Sequence, residues 1–541
     1  MPPSAKTKRD LNAILTAAVT EDEPGIAIGV AKAGRLVWSG GRGMANLDTG
    51  AAFTPTTPFR ICSISKQFTC ALVMREVRAG RVALDAHPGH YLAWANVLDA
   101  KLTVAHLMQN KSGIRDQWTL AMMMGARAEQ RFTLDDGIAV NRLAPRSMFA
   151  PGSQNLYCNA NFEILGQILE VVSGETCAEL LAKHIFAPLG MTASYLGVDT
   201  AQPLPGDARG YRFHDGAWVE EDNAIQWAAS AGIVSTIEDL LKWAACLRDP
   251  GAKGMPWVGD ITAARAFNDG NAAAYASGIN HDINRHNGRA VLAHAGALRG
   301  WRSIMMHFVN EDVSIAVFMN RTNAATSQAS FPRGVARAIA EALGIVPVWH
   351  RAGKPPVRAI LPEGARGAYV SREQGLLIQL RNDETGAQLH SHLDWSPLFQ
   401  SDGDTLAAED GELSLRFTDA ACETLMLKLS DANVYTPMQR VPLSRRIAPC
   451  FATCGRYHCA PLDSSLEIIE HEGTYSIGFA GIFGSGIHYP LTLLNESTAW
   501  FDLSRGVDES PPGRVLVLFD AKQKLIEVSC MLARRMVFRA A

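Results

Sequence analysis

Phe59 to Gly80 reads F-R-I-C-S-I-S-K-Q-F-T-C-A-L-V-M-R-E-V-R-A-G and carries the tetrad Ser63-Ile64-Ser65-Lys66. Beyond Lys66 no Pro or Gly interrupts the chain before Gly80, and Phe68, Ala71, Leu72, Val73, Met74 and Val77 make it apolar on most sides. That pattern predicts a buried helix ending near Gly80. Ser63 then falls at or near the helix N-terminus, with Lys66 one turn later on the same face. The placement suits a nucleophile. A helix N-terminus favours developing negative charge, its free N–H groups can hold an oxyanion, and a buried lysine can stay partly neutral and take a hydroxyl proton. A core helix with a capping serine and a solvated lysine carries the same tetrad, and S-x-x-K arises roughly once or twice by chance in a chain of this size.

With 541 residues the chain exceeds one ordinary core, so two to four domains are expected. Apolar residues are 47% and charged residues 19%, a globular balance. Lys and Arg total 51 against 54 Asp and Glu, for a net charge of −3, which argues for neither nucleic acid nor a membrane surface as partner. The segment L-N-A-I-L-T-A-A-V-T-E-D-E from Leu11 reads as part of an amphipathic first helix and not as a signal peptide. No run reaches the roughly 18 apolar residues that span a bilayer. Ten thinly spread cysteines read mostly as small core residues of a reducing compartment, so a cytoplasmic location is expected. Cys450, Cys454 and Cys459 form the one cluster, without zinc spacing, and no metal site is expected there.

Outward from the tetrad, Gly25 to Asn46 reads as a hairpin turning at Lys32-Ala33-Gly34-Arg35. His106 to Ile114 reads as a helix end running into a tight turn. The Pro-Gly-led loop Pro151 to Asn159 precedes an apolar helix, Phe162 to Val172, and Ala231 to Thr236 precedes an acidic helix start. Strands return at Ala290–His294, Ser303–Phe308 and Val313–Met319, and a helix at Arg333–Leu343 follows. This order predicts an α+β domain whose antiparallel sheet is built from both ends, around a helical insertion. Ile345 to Arg358 is the linker candidate. Short alternating segments follow, including Leu376–Leu380, Leu413–Phe417 and Leu425–Leu429, and the pattern restarts after Pro449. Gly455-Arg456-Tyr457 echoes Gly367-Ala368-Tyr369, so two small antiparallel β-barrels related by duplication are expected. The predicted domains are 1–346, 347–445 and 446–541.

Three elements carry chemistry: Ser63 with Lys66, Tyr157-Cys158-Asn159, and His294-Ala295-Gly296 at a strand end. Singly, the tyrosine reads as packing, the histidine as structural and the glycine as a bulge. In this order, with about 90 residues and then about 135 between them, they resemble the serine β-lactamase and penicillin-binding-protein superfamily, in its class-C-like branch with tyrosine in the second motif. The contexts C-S-I-S-K-Q-F-T-C-A, Y-C-N-A-N-F and H-A-G-A-L-R-G-W-R, with two trailing β domains, resemble the bacterial D-aminopeptidases over essentially the whole chain.

The resemblance implies a β-lactamase/transpeptidase-like catalytic domain and a serine hydrolase releasing N-terminal D-amino acids from small peptides and amides, without metal or organic cofactor. It assigns the acyl-enzyme to Ser63 and shared acid–base work to Lys66 and Tyr157, the tyrosine having a pKa lowered by cationic neighbours. Asn159 orients Lys66 and the substrate amide, and His294 closes the ring of donors beside Tyr157. The Ser63 and Ala297 N–H groups form the oxyanion hole, with Gly296 and Arg299 beside the substrate. Penicillin-recognising relatives carry K-[ST]-G where this chain has His294-Ala295-Gly296, so a carboxylate-bearing ligand loses two contacts and an amine fits better. In the D-aminopeptidases a loop of the last domain brings an acid to the site. The counterpart here, about 480–489, has none between Glu472 and Glu496, and Ile487 stands at the expected acidic position. A broad esterase or amidase is therefore the alternative, and a ligand receptor acylated once at Ser63 the alternative of another class. A homodimer is the expected assembly. Cys62 and Cys158 flank the catalytic residues as expected points of attack for thiol reagents.

Overall fold

The computed structural model describes residues 3–127, 129–221, 224–282, 290–322, 332–345, 357–390, 395–401, 403–408, 413–429, 435–442, 454–503, 514–520 and 525–540. Most of the linker candidate, Cys450 and the stretches around both predicted domain boundaries lie outside these residues.

The first domain is built on an antiparallel sheet in the order Asn280–Asp282, Val291–Leu298, Trp301–Phe308, Val313–Met319, Ile26–Lys32, Arg35–Arg42. Its middle is the pairing of the chain's two ends, with Ile28 opposite Val317 and Val30 opposite Ile315. Period-two alternation divides each strand between two cores. Ile26, Ile28, Val30, Ile315 and Val317 face the helices Ala5–Ala18 and Pro332–Ala342, which supply Leu11, Leu15, Val335 and Ile339. Ala27, Ala31, Ala316 and Phe318 face the helical insertion, which includes the helices Ser65–Arg78, Asn159–Ser173 and Ile237–Arg248. The insertion between the hairpin and the last strands is the α+β arrangement expected from the order of elements.

Beyond it, among the described residues, two barrels each close eight antiparallel strands. The first runs from Gly367–Ser371 to Thr436–Val441, and the second from Gly455–Cys459 to Ala533–Ala540. The two G-x-Y echoes each open a barrel, and Tyr369 and Tyr457 are both buried. Among the described residues no helix is long and apolar enough to cross a membrane.

Candidate active site

Ser63 lies in a single 3-10 turn, Cys62–Ile64, immediately before the Ser65–Arg78 helix, and not inside the helix itself. Three anchors fix that turn. Phe59–Arg60 pairs with Ile233–Ser235, and the Ile61 N–H continues the pairing to the Ile233 carbonyl at 3.0 Å. The Ser65 hydroxyl donates to the Cys62 carbonyl (2.6 Å) and accepts from the Ile233 N–H (3.1 Å), so the second serine of the tetrad is structural. Ser303 donates to the Ile61 carbonyl at 2.9 Å from the sheet side. Cys62 takes φ +53°, unusual for a residue with a side chain, and these bonds hold it there.

The strand Val291–Leu298 brings the third motif against the same turn. A Cβ on Gly296 would overlap the Ser303 hydroxyl and the Ile61 carbonyl and lie 2.9 Å from Cys62 Cβ. The glycine of H-A-G is therefore a close approach of backbone to backbone, not a bulge, and it sets Ala297 next to the nucleophile's turn.

The second motif is positioned by Asn110, one of the residues of the tight turn after the Val104–Met108 helix, with φ +53°. Its carbonyl accepts from the Leu156 N–H (2.8 Å) and its side-chain oxygen from the Cys158 N–H (3.1 Å). Tyr157 is thus presented on a tethered loop, and Asn159 opens the following helix, three residues earlier than its apolar pattern indicates.

The three elements converge on one hydroxyl. Ser63 Oγ is 3.0 Å from Lys66 Nζ and accepts from the Tyr157 hydroxyl at 2.6 Å. Lys66 Nζ also reaches Asn159 Oδ1 and the Ser230 carbonyl, both at 2.9 Å. Those two oxygens can only accept, so they take two N–H groups of the amine. The third tetrahedral direction, toward Ser63, is the lone pair when the amine is neutral. Ser63 is 8% exposed and Lys66 0%. Burial lowers the Lys66 pKa to about 7, against the opposing pull of Glu163 and Asp116.

Tyr157 departs from expectation. Burial pushes its phenol up, not down, and the Asp116 carboxylate adds to the rise, outweighing the bond to Ser63. Although Lys66 Nζ lies 4.8 Å from the ring centre, desolvation of the phenolate dominates. This favours the protonated phenol, opposite to the lowered pKa expected of it. Cys62 and Cys158 are buried as well; burial raises the Cys62 thiol to about 12 and moves Cys158 in the same direction, which argues against their reaction with thiol reagents.

His294 is buried, with its ring centre 6.3 Å from that of Tyr157. Its Nδ1–H donates to the Ala295 carbonyl at 2.6 Å, and Nε2 shares a hydrogen bond with Tyr275 Oη at 3.1 Å. Arg299 directs its guanidinium to buried Glu221, at 3.1 and 3.4 Å, with Glu129 at 3.6 Å. Ile487 lies in the strand Gly484–Asn495 and packs on the apolar cluster that the second barrel shares with the catalytic domain. The expected loop is a tight hairpin whose tip, Ile482-Phe483, meets the segment from Met124 to Phe132. Gln130 donates to the Phe483 carbonyl, Arg127 to the Ser485 carbonyl, and the Phe483 ring sits 5.7 Å from that of Phe132.

Sequence reasoning missed Ser230, Tyr275, Asp116 and Glu163. Ser230 contributes a carbonyl, which any residue type could supply. Glu163 carried a usable signal, because it falls four residues after Asn159, on the same helical face.

Comparison with known proteins bears on the fold and the family. The Beta-lactamase family model matches residues 11–338. The chain belongs to the beta-lactamase family. This beta-lactamase family protein also matches the model for D-aminopeptidase, domain B, over residues 361–539, the region of the two barrels. It is 29% identical to the D-aminopeptidase of Brucella ovis over 523 residues, 95% of each chain. With that of Brucella anthropi it shares 29% identity over 98% of this chain and 99% of the relative. Among solved structures, the octameric penicillin-binding protein homologue from Pyrococcus abyssi aligns with TM-score 0.54 at 18% identity, covering 94% of this chain and 99% of that one. The D-amino acid amidase from Ochrobactrum anthropi SV3 aligns with TM-score 0.51 at 21% identity, over 63% of this chain and 98% of its own. At these identities the two structures bear on the fold alone.

Proposed function

We propose that the chain is a serine hydrolase that releases N-terminal D-amino acids from small peptides and amides through an acyl-enzyme on Ser63. The carrying observation is the Ser63 hydroxyl held between Lys66 and Tyr157, in a chain that aligns over 95% of its length with D-aminopeptidases. Neutral Lys66 takes the Ser63 proton as Oγ attacks the substrate carbonyl, and the Ser63 and Ala297 N–H groups receive the oxyanion. Breaking the C–N bond requires a proton on the leaving nitrogen. Tyr157, kept protonated by burial, donates it, and the proton held on Lys66 restores the tyrosine. Water then enters with Lys66 neutral again, gives its proton to the same pair, and releases the amino acid with Ser63 restored. Asn159 steers Lys66, and His294, with Gly296 and Arg299, shapes the wall beside the substrate.

The proposed division is a catalytic domain over 1–346 and barrels over 347–445 and 446–541, with the hairpin at about 480–489 reaching the substrate side through Ile487. Cysteine usage supports a cytoplasmic location, and a homodimer is the proposed assembly, open to light scattering.

The test is hydrolysis of D-alanine p-nitroanilide, its L-isomer and its N-acetylated D form by the wild type and by Ser63→Ala. The expected result is turnover of the free D compound alone, abolished in the folded variant. Preference for the acetylated form or for simple esters would replace the aminopeptidase with a broad esterase or amidase, the reading that the acid-free hairpin favours. Stoichiometric labelling of Ser63 without product release would make the protein an acylated receptor.

A further inference from the structure

We propose that Glu163 is a positioning residue for the general base, fixing the Ser230 carbonyl and through it Lys66 on Ser63. The inference rests on the serine-hydrolase reading above. Glu163 is 9% exposed, and a carboxyl so buried needs partners. It finds four donors in one short turn. Oε1 accepts from the Ser230 hydroxyl (2.5 Å), the Ser230 N–H (3.1 Å) and the Ala228 N–H (3.3 Å), and Oε2 accepts from the Ala229 N–H (3.2 Å). The same turn faces the nucleophile's helix with its carbonyls: Ser230 O takes a hydrogen of Lys66 at 2.9 Å, and Ala229 O takes that of Thr69 at 2.7 Å.

One helix therefore controls two of the three contacts of the amine. Asn159 makes the first directly, and Glu163, a turn later on the same face, moors the second. A neutral lysine has two hydrogens. Unless both acceptors stay in place, its lone pair is no longer aimed at the Ser63 hydroxyl.

Charge acts in the same direction. The titratable groups facing Lys66 are Glu163 and Asp116, Tyr157 and Cys158 from the second-motif segment, and Cys62 and Cys70 from its own segment. Burial raises the Glu163 pKa, and the four donors and Lys66 work against that rise. In its ionised form the carboxylate opposes the desolvation of the ammonium and keeps the base able to hold the proton it accepts.

The experiment records kcat/KM against pH on D-alanine p-nitroanilide, together with the pH dependence of Ser63 phosphonylation by a fluorophosphonate, for the wild type, Glu163→Gln and Glu163→Asp. In Glu163→Gln the acid limb should move down by ~1 pH unit, because the carboxylate no longer favours the ammonium. kcat should fall about tenfold or more with KM little changed, because the Ser230 carbonyl loses its mooring. Glu163→Asp keeps the charge, so its limb stays in place while kcat falls. A Gln variant whose kcat falls with the limb unmoved would reduce Glu163 to a packing role and overturn the proposal, as would wild-type kcat in both variants. Should the Gln variant not fold, the Asp variant decides by its kcat. Labelling separates the two levels: a wild type unlabelled at Ser63 defeats the serine-hydrolase reading, whereas labelling with an unmoved limb defeats only the role of Glu163.

Discussion

Lys66 is buried among three oxygens, and its chemistry and its cost to the fold have one origin. Its folded pKa of about 7 stands against 10.5 for an ordinary lysine. Between these values the unfolded chain binds the extra proton, so the stability of the wild type falls as pH drops from 10.5 toward 7 and then levels off. Lys66→Met removes this term. The variant should lose turnover yet be more stable at neutral pH by about 1–4 kcal/mol, the range found when buried ionic groups are replaced by apolar ones. The gap between the two proteins should widen as pH falls through that window, which calorimetry at pH 10 and pH 7 checks; a variant less stable at pH 7 would contradict it. Amine recognition belongs to the same scale. The hairpin lacks an acid, and exposed Glu129 stands between the two residues that grip it, 3.6 Å from Arg299. Glu129→Gln should raise KM for the free D-amine substrate about fivefold, the scale of a partly exposed ion pair, and leave the acetylated compound unaffected. An equal change for both substrates would exclude a role in recognising the amine.

At the scale of elements, the site is a junction of a turn, a strand and a loop, each aimed by backbone contacts. Gly296 is the tightest of these. A methyl group there must displace either the Ile61 carbonyl or the strand that carries Ala297, and neither is a flexible side chain. Gly296→Ala should destabilise by about 1–3 kcal/mol, as overpacking does, and lower kcat more than it raises KM, because the displaced strand carries Ala297, whose N–H is proposed to receive the oxyanion. A melting curve with steady-state kinetics tests this, and wild-type kcat would show that the strand's approach is not used in catalysis. The helix, the hairpin and the three motif segments were legible in the chain because each has a local cause: apolar period, a turn at Ala33-Gly34, a Pro-Gly lead. The exact seat of Ser63, one 3-10 turn ahead of the helix, was not, since pairing with Ile233 sets it from 170 residues away in sequence.

Over the whole molecule, the second barrel is continuous with the catalytic core, through Met124, Phe132 and Phe483 to Phe479 and Phe501, and the first barrel leans on the second through Ala368, Val370 and Leu377 against Leu494, Leu516 and Leu518. Gly125 admits the hairpin because a Cβ there would overlap the Gly484 carbonyl. The last hairpin of the second barrel reaches the back of the second motif. The Leu532 carbonyl accepts from the Asp116 N–H at 3.0 Å, the Arg534 carbonyl accepts from Arg115, and the Arg534 guanidinium donates to Gln154, three residues before Tyr157. Arg534→Ala should therefore lower kcat/KM about tenfold while the barrel stays folded, because the loop that carries Tyr157 loses a tether. Unchanged kinetics with unchanged melting would separate the barrel from the catalytic loop.

What the sequence determined by itself was local and additive. Periodicity, turn residues and ordered motifs specified the α+β domain and the two barrels and put forward Ser63, Lys66, Tyr157, Asn159 and His294 as candidates. Only the tertiary structure decided the electrostatics. Depth of burial sets whether Tyr157 is acid or phenolate, and that depth is the joint product of segments far apart in the chain. The same holds for Ser230 and Glu163: a carbonyl has no sequence signature, and a glutamate becomes an anchor only where four donors from another segment fold over it.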